Sequence, residues 1–153
     1  MKKSPVLFLA AVVALFLACG SAVAQHYVPT PENLAQWADF QQHRLGIFLH
    51  WGIYATYAQG EWYLQTAGLN KDDYAVAAQS FNPVKFDAAA WARAFKEAGA
   101  CYVTLTSRHH DGFSMFRTAA TDYDILDATP YGRDIVAELA AACEAEGLRY
   151  HLY

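Results

Sequence analysis

Cys101-Tyr-Val-Thr-Leu-Thr-Ser-Arg-His-His-Asp-Gly-Phe113 begins as an apolar, β-branched run and ends in a polar cluster. The run Cys101 to Thr106 has the composition of a buried strand. It leads directly into Arg108, His109, His110 and Asp111, and Gly112 then breaks the backbone. The carboxyl ends of buried strands are where α/β proteins gather their chemistry. The arrangement occurs once before: Leu45 to Leu49 is apolar and ends in His50, Trp51 and Gly52. Two strands ending in histidine predict one site shared between them.

Outward from these strands the chain alternates strand and helix, without internal repeats. After Pro29 and Pro31, Glu32 to Gln42 reads as a helix with Leu34, Trp37 and Phe40 on one face. A long connection after the first strand holds Glu61-Trp62-Tyr63 and a short helix near Asp72 to Gln79. Asp87 is placed to cap a helix whose Trp91, Ala94, Phe95 and Ala98 recur at helical spacing, and Gly99 stops it. Trp91 and Phe95 are read as core. Asp134 caps the next helix, with Val136, Leu139 and Cys143 inward, and Gly147 precedes a third strand starting at Leu148 or Arg149.

Alternating buried strands and helices predict an α/β fold with a parallel sheet and right-handed crossovers. The connections leaving strands one and two are long, whereas those entering strands two and three are a residue or two. One elaborated rim is the pattern of a (β/α)8 barrel. Such a barrel takes about 250 residues, and three strands cannot close it. The expectation is therefore the N-terminal part of a (β/α)8-like, TIM-type barrel, truncated after about three strands.

The first residues fix the expected compartment. Met1 to Ala24 carries Lys2 and Lys3, an apolar run from Val6 to Ala18, and Ala22-Val23-Ala24 before Gln25. That is the layout of a signal peptide, with an apolar stretch too short for a stable membrane span. Cleavage after Ala24 is expected, giving an exported periplasmic or extracellular protein of residues 25–153. A lipid anchor at Cys19 is the lesser alternative, because Phe16 and Leu17 fit a lipoprotein box poorly. Cleavage removes two of eleven basic residues and none of fifteen acidic ones, leaving a formal charge of −6. No basic patch remains to follow a phosphate backbone, which argues against nucleic acid. Cys101 and Cys143 are expected as small buried thiols, since both fall on predicted core faces.

With these segments in place, the chain resembles the N-terminal part of the retaining α-L-fucosidases of glycoside hydrolase family 29. The matching stretches are Arg44-Leu-Gly-Ile-Phe-Leu-His-Trp-Gly52, Gly60-Glu-Trp-Tyr63, Phe81-Asn-Pro-Val-Lys-Phe-Asp87, Thr106-Ser-Arg-His-His-Asp-Gly-Phe-Ser-Met-Phe116, and Thr121-Asp-Tyr123 through Arg133-Asp134. They cover nearly all of residues 40–153, in order. The resemblance implies a (β/α)8-like catalytic barrel followed by a β-sandwich. It implies that His50, Glu61, Trp62, His109 and His110 line a fucose pocket, with fucosylated glycans as substrates and no cofactor or metal. The family's aspartate nucleophile lies on a later strand and its acid/base later still, so neither position matches a residue here.

The residue chemistry agrees with that implication. Imidazoles both donate and accept, which matches sugar hydroxyls, and an indole such as Trp62 can cover the apolar side of a pyranose. Glu61 can accept from a hydroxyl pair. Arg108 and Asp111 are read as structural groups that pair with loops or cap a turn. Two rival readings remain open. One is a metal-dependent hydrolase with His50, His109, His110 and Asp111 as ligands, although adjacent histidines on one strand point to opposite faces. The other is a sugar-binding barrel without catalysis. Linkage specificity and oligomeric state are open.

Overall fold

The computed structural model describes residues 27–153. The signal peptide expected over Met1 to Ala24, with the alternative anchor at Cys19, lies outside the described residues. The chain divides into two units, residues 1–37 and 38–153. In the described part of the first, Thr30 and Asn33 cap the start of α1 (Pro31–Gln42) reciprocally. Asn33 N–H donates to Thr30 Oγ1 at 3.2 Å, and Thr30 N–H donates to Asn33 Oδ1 at 3.2 Å. The apolar face expected on this helix is not buried: Leu34, Trp37 and Phe40 are each about half exposed. The Trp37 ring meets Tyr27 at 6.4 Å between centroids.

The second unit is built on a three-stranded parallel sheet in the order β1 (Gly46–Leu49), β2 (Tyr102–Leu105), β3 (Arg149–Leu152). β1 and β2 are each shorter than their apolar runs, leaving Leu45 exposed, and β3 starts at Arg149 as expected. The hydrogen bonding nevertheless continues past the strand ends. Cys101 N–H donates to the Leu45 carbonyl at 2.8 Å, and Thr106 N–H to the Leu49 carbonyl at 3.0 Å. The register aligns Leu49, Leu105 and Leu152. All three strands therefore end on one rim.

Between β1 and β2 the chain forms a 3₁₀ turn (Ile53–Thr56), α2 (Tyr63–Thr66), α3 (Lys71–Ala75), a second 3₁₀ turn (Val76–Ser80) and α4 (Ala88–Glu97). Asp87 caps α4, accepting from Ala90 N–H at 2.9 Å. Ala92 is its fully buried residue, Trp91 and Phe95 are half-buried against the core, and Ala94 and Ala98 are exposed. A helix turns about 100° per residue, so burying Ala92 turns Ala94 and Ala98 outward. The expected stripe was displaced by that rotation. Between β2 and β3, α5 (Ile135–Ala145) follows its cap Asp134, which accepts from Ala137 N–H at 2.9 Å. Ile135, Leu139 and Cys143 of this helix are buried. Both described cysteines are free; Cys143 is buried, but Cys101, at the edge where the sheet begins, is only half-buried.

One face of the sheet packs Ile47, Val103, Leu105 and Tyr150 into the core. On the other, Phe48 is 52% exposed. There the Tyr102 ring stacks on His151 at 5.2 Å and meets Phe40 at 5.5 Å. Asp39 pairs with Arg149 beside them. A Cβ on Gly46 would lie 2.1 Å from the Tyr102 ring, so β1 requires glycine to let that ring cross it.

Because Phe40 and His151 hold the Tyr102 ring, it cannot swing aside freely. Gly46→Ala in the full-length protein should cost about 1–3 kcal/mol of stability by overpacking, read as a lower midpoint in chemical denaturation. An unchanged midpoint would show that the ring moves without penalty.

Candidate active site

The site forms where β1 and β2 end together. Thr106, one residue past β2, joins the two strand ends: Trp51 N–H donates to its Oγ1 at 3.2 Å, and the Tyr54 hydroxyl lies 2.8 Å from the same oxygen. Burial pushes the Tyr54 phenol up to about 12, against the lowering effect of the Thr106 hydrogen bond. Tyr54 therefore stays a neutral hydroxyl. Trp51, next to His50, is drawn into packing, its ring 5.0 Å from Trp91 and 5.3 Å from Phe86.

His109 and His110 lie beyond the strand, on irregular backbone. Gly112, at φ 78°, closes the turn by donating its N–H to the His109 carbonyl at 3.0 Å. Asp111 is buried and faces inward, accepting from Phe113 N–H at 3.0 Å and from the Tyr74 hydroxyl at 3.5 Å. Burial raises its pKa, countered by the Phe113 and Tyr74 hydrogen bonds and by Arg108. Arg108 reaches Ser114 Oγ at 3.4 Å. Both residues have the structural roles read from the sequence. Gln65 Nε2 donates to the His110 carbonyl at 3.1 Å, tying this turn to α2.

All five residues singled out from the sequence gather in one place. His50 and His109 are 5.6 Å apart between ring centroids. Trp62 meets His109 edge-on at 5.7 Å and lies over His110 at 3.8 Å. One side-chain donor atom each from His50, Glu61 and His109 falls within 4.8 Å of the other two. Trp62 is 47% exposed, so its indole remains available to a ligand. The sequence reading missed two aromatic neighbours. Tyr54 meets the His109 ring at 5.7 Å, and Tyr153 stacks on it at 5.7 Å with planes 22° apart. Tyr153 has a usable signal, lying just past β3 as His50 lies just past β1.

The donor set of the metal reading does not assemble as expected. Asp111 is committed to its turn, His110 faces Trp62, and Glu61 joins His50 and His109 instead. The buried Nδ1 of His109 has no hydrogen-bond partner among the described residues. Burial first, then the neighbouring His110 and His50, hold the His109 imidazole below its ordinary pKa, opposed by Glu61. Near neutral pH the ring is uncharged, able to donate from one nitrogen and accept at the other. Such a cluster can hold neutral hydroxyls against an apolar indole face.

The family model described as Alpha-L-fucosidase matches residues 15–153. The chain is 33% identical to the tissue α-L-fucosidase of Rattus norvegicus over 156 residues, covering 88% of this chain and 33% of that enzyme. It therefore spans about a third of the length of the curated relatives it matches. The α-L-fucosidase isoenzyme 1 of Paenibacillus thiaminolyticus superposes with a TM-score of 0.74 at 46% identity, over 80% of this chain and 28% of that one. A family 29 α-L-fucosidase from Bacteroides thetaiotaomicron, solved as a trapped covalent intermediate, superposes with a TM-score of 0.71 at 38% identity, over 74% of this chain and 28% of that one.

His109 should titrate below the usual 6.5 in histidine NMR of the full-length protein. Its folded value lies under its unfolded one, so the unfolded state takes up the proton first as pH falls. The ring's contribution to stability is then present above about 6.5 and lost as pH drops through the folded value. Titration at or above the ordinary value would remove burial as the dominant influence.

Proposed function

The chain belongs to the α-L-fucosidase family of glycoside hydrolases, and from that membership we propose that the full-length protein releases terminal α-L-fucosyl residues from glycans. The observation that carries the proposal is the convergence of His50, Glu61, Trp62, His109 and His110 at the shared ends of β1 and β2. In this reading the histidines and Glu61 hold sugar hydroxyls, and the Trp62 face covers an apolar side of the pyranose. The Tyr54 and Tyr153 rings pack against His109.

Hydrolysis proceeds with retention in this proposal. The trapped covalent intermediate of the Bacteroides relative supports a two-step route. A retaining site needs two carboxyl groups about 5 Å apart, one as nucleophile and one as acid/base. The buried, turn-bound Asp111 cannot be either, and Glu61 serves as a hydroxyl acceptor. The pair belongs to later strands of a (β/α)8-like barrel that continues the three strands described here and is followed by a β-sandwich. No metal takes part in the chemistry. Proton NMR of the first-formed sugar tests the assignment: the α-anomer is expected first. Initial release of the β-anomer would overturn retention, activity abolished by a chelator would revive the metal hydrolase, and fucose binding without turnover would favour the non-catalytic barrel.

His109→Ala and His110→Ala should each lower kcat/KM, since contacts to sugar hydroxyls tighten in the transition state. A buried hydrogen bond lost from a pocket costs about 1–3 kcal/mol, up to roughly two decades in rate. Near-normal kcat/KM in both folded variants would reduce the pair to scaffolding.

Residues 25–153 expressed alone are expected to be inactive and self-associating. Phe48 and Leu152 are more than half exposed, and β1 and β3 each keep an unpaired edge in this three-stranded sheet. A soluble monomer on size exclusion that cleaves a fluorogenic fucoside would contradict both expectations. The Met1 to Ala24 pattern supports export with cleavage after Ala24; a mature N-terminus beginning at Gln25 in the extracytoplasmic fraction is the expected result.

A further inference from the structure

The same three side chains that would hold sugar hydroxyls form a transition-metal donor set, and we propose that Zn²⁺ binds reversibly at His50, Glu61 and His109, excluding the sugar. The proposal rests on the sugar-pocket reading only for the exclusion; the ion site itself stands on the cluster's geometry.

Two imidazoles and one carboxylate form a three-ligand set that leaves a fourth position open to water. Imidazole donors select zinc and its neighbours over magnesium or calcium, which prefer all-oxygen shells. Three donor atoms here lie within 4.8 Å of one another. Tetrahedral zinc with ligands at about 2.0–2.2 Å holds its donors roughly 3.4 Å apart, so closure takes about 1.4 Å at most. His50 is exposed and Glu61 lies on the connection after β1, so side-chain rotation can supply that movement. His109 needs less movement, since its ring already packs against Tyr54 and Tyr153.

The rest of the site accounts for the choice of three. Trp62 covers His110, and Asp111 is held by Phe113 N–H and the Tyr74 hydroxyl. Neither can turn toward the ion without giving up those contacts. Zinc at this point occupies the space between the two strand-end histidines and draws on the acceptors a sugar hydroxyl would use. Binding of the two ligands is then mutually exclusive, and each raises the other's apparent Kd by mass action.

Isothermal titration of zinc chloride into chelator-stripped full-length protein tests the site without reference to activity. One equivalent is expected to bind. His50→Ala, Glu61→Gln and His109→Ala should each weaken binding roughly tenfold or more, with unchanged far-UV circular dichroism. His43→Ala, at the opposite end of β1, should leave the isotherm as it was. Saturating L-fucose should weaken zinc binding to the parent protein. Zinc uptake indifferent to all three substitutions, or no uptake, would overturn the site. Uptake that depends on them but ignores fucose would support the ion site, overturn exclusion and count against the sugar pocket. Glu61→Gln keeps the side chain's shape, so loss of binding there cannot be assigned to misfolding.

Discussion

Parallel in-register pairing of β1 with β2 is the constraint on which everything else depends. It sets Leu49 beside Leu105 and brings the backbone of Thr106 onto the Leu49 carbonyl. His50 then stands beside the segment that carries His109. A slip of one residue would send alternate side chains to the wrong face. Gly46 helps to fix the register from the far end. The Tyr102 ring can lie over β1 only where the facing residue has no Cβ. Phe40 and His151 close around that ring, so one end of the sheet is locked by aromatic packing while the other is left to chemistry.

Beyond the strands, buried carboxylates do the work that regular hydrogen bonding no longer can. Asp111 turns the chain by accepting from Phe113 N–H. Asp124, fully buried, accepts from the N–H groups of Thr118, Leu126 and Asp127 and organises the following loop. Met115 N–H returns to the Ser107 carbonyl at 2.8 Å, fastening that loop to the strand end. A buried carboxylate is costly unless its acceptors are satisfied. Each such group therefore specifies a single backbone path, and the position of His109 follows from it.

Strands, helix caps and the shared site could be read from the sequence because each leaves a local mark. Asp87 and Asp134 precede periodic runs, and His50 and His109 follow apolar ones. What escaped depended on partners distant in sequence. The rotation that exposes Ala94 and Ala98 follows from which side of α4 is buried, a choice that the pattern Trp91, Ala94, Phe95, Ala98 does not contain. Cys101 is half-exposed although its backbone pairs with Leu45 and Arg149 on either side, because it stands at the edge where the sheet begins. Asp111, a ligand only in the rival metal reading, is held by its own turn as its structural reading expected, and Glu61 stands beside the histidines where the pocket reading put it.

The site's electrostatics follow from the same architecture. Packing His109 between Tyr54 and Tyr153 removes solvent from its ring and disfavours its charged form, while His50 and His110 on either side add to that effect. Glu61 opposes it, and the balance leaves a polar but uncharged imidazole. A neutral sugar brings no charge to offset the desolvation of a charged histidine, so a ring kept neutral by burial suits it better. The cost is selectivity against cations. An imidazole that is neutral, fixed and short of one hydrogen-bond partner is also the form that binds a metal. If the rim takes both ligands as proposed, discrimination between hydroxyl groups and transition-metal ions comes from how far His50 and Glu61 can close.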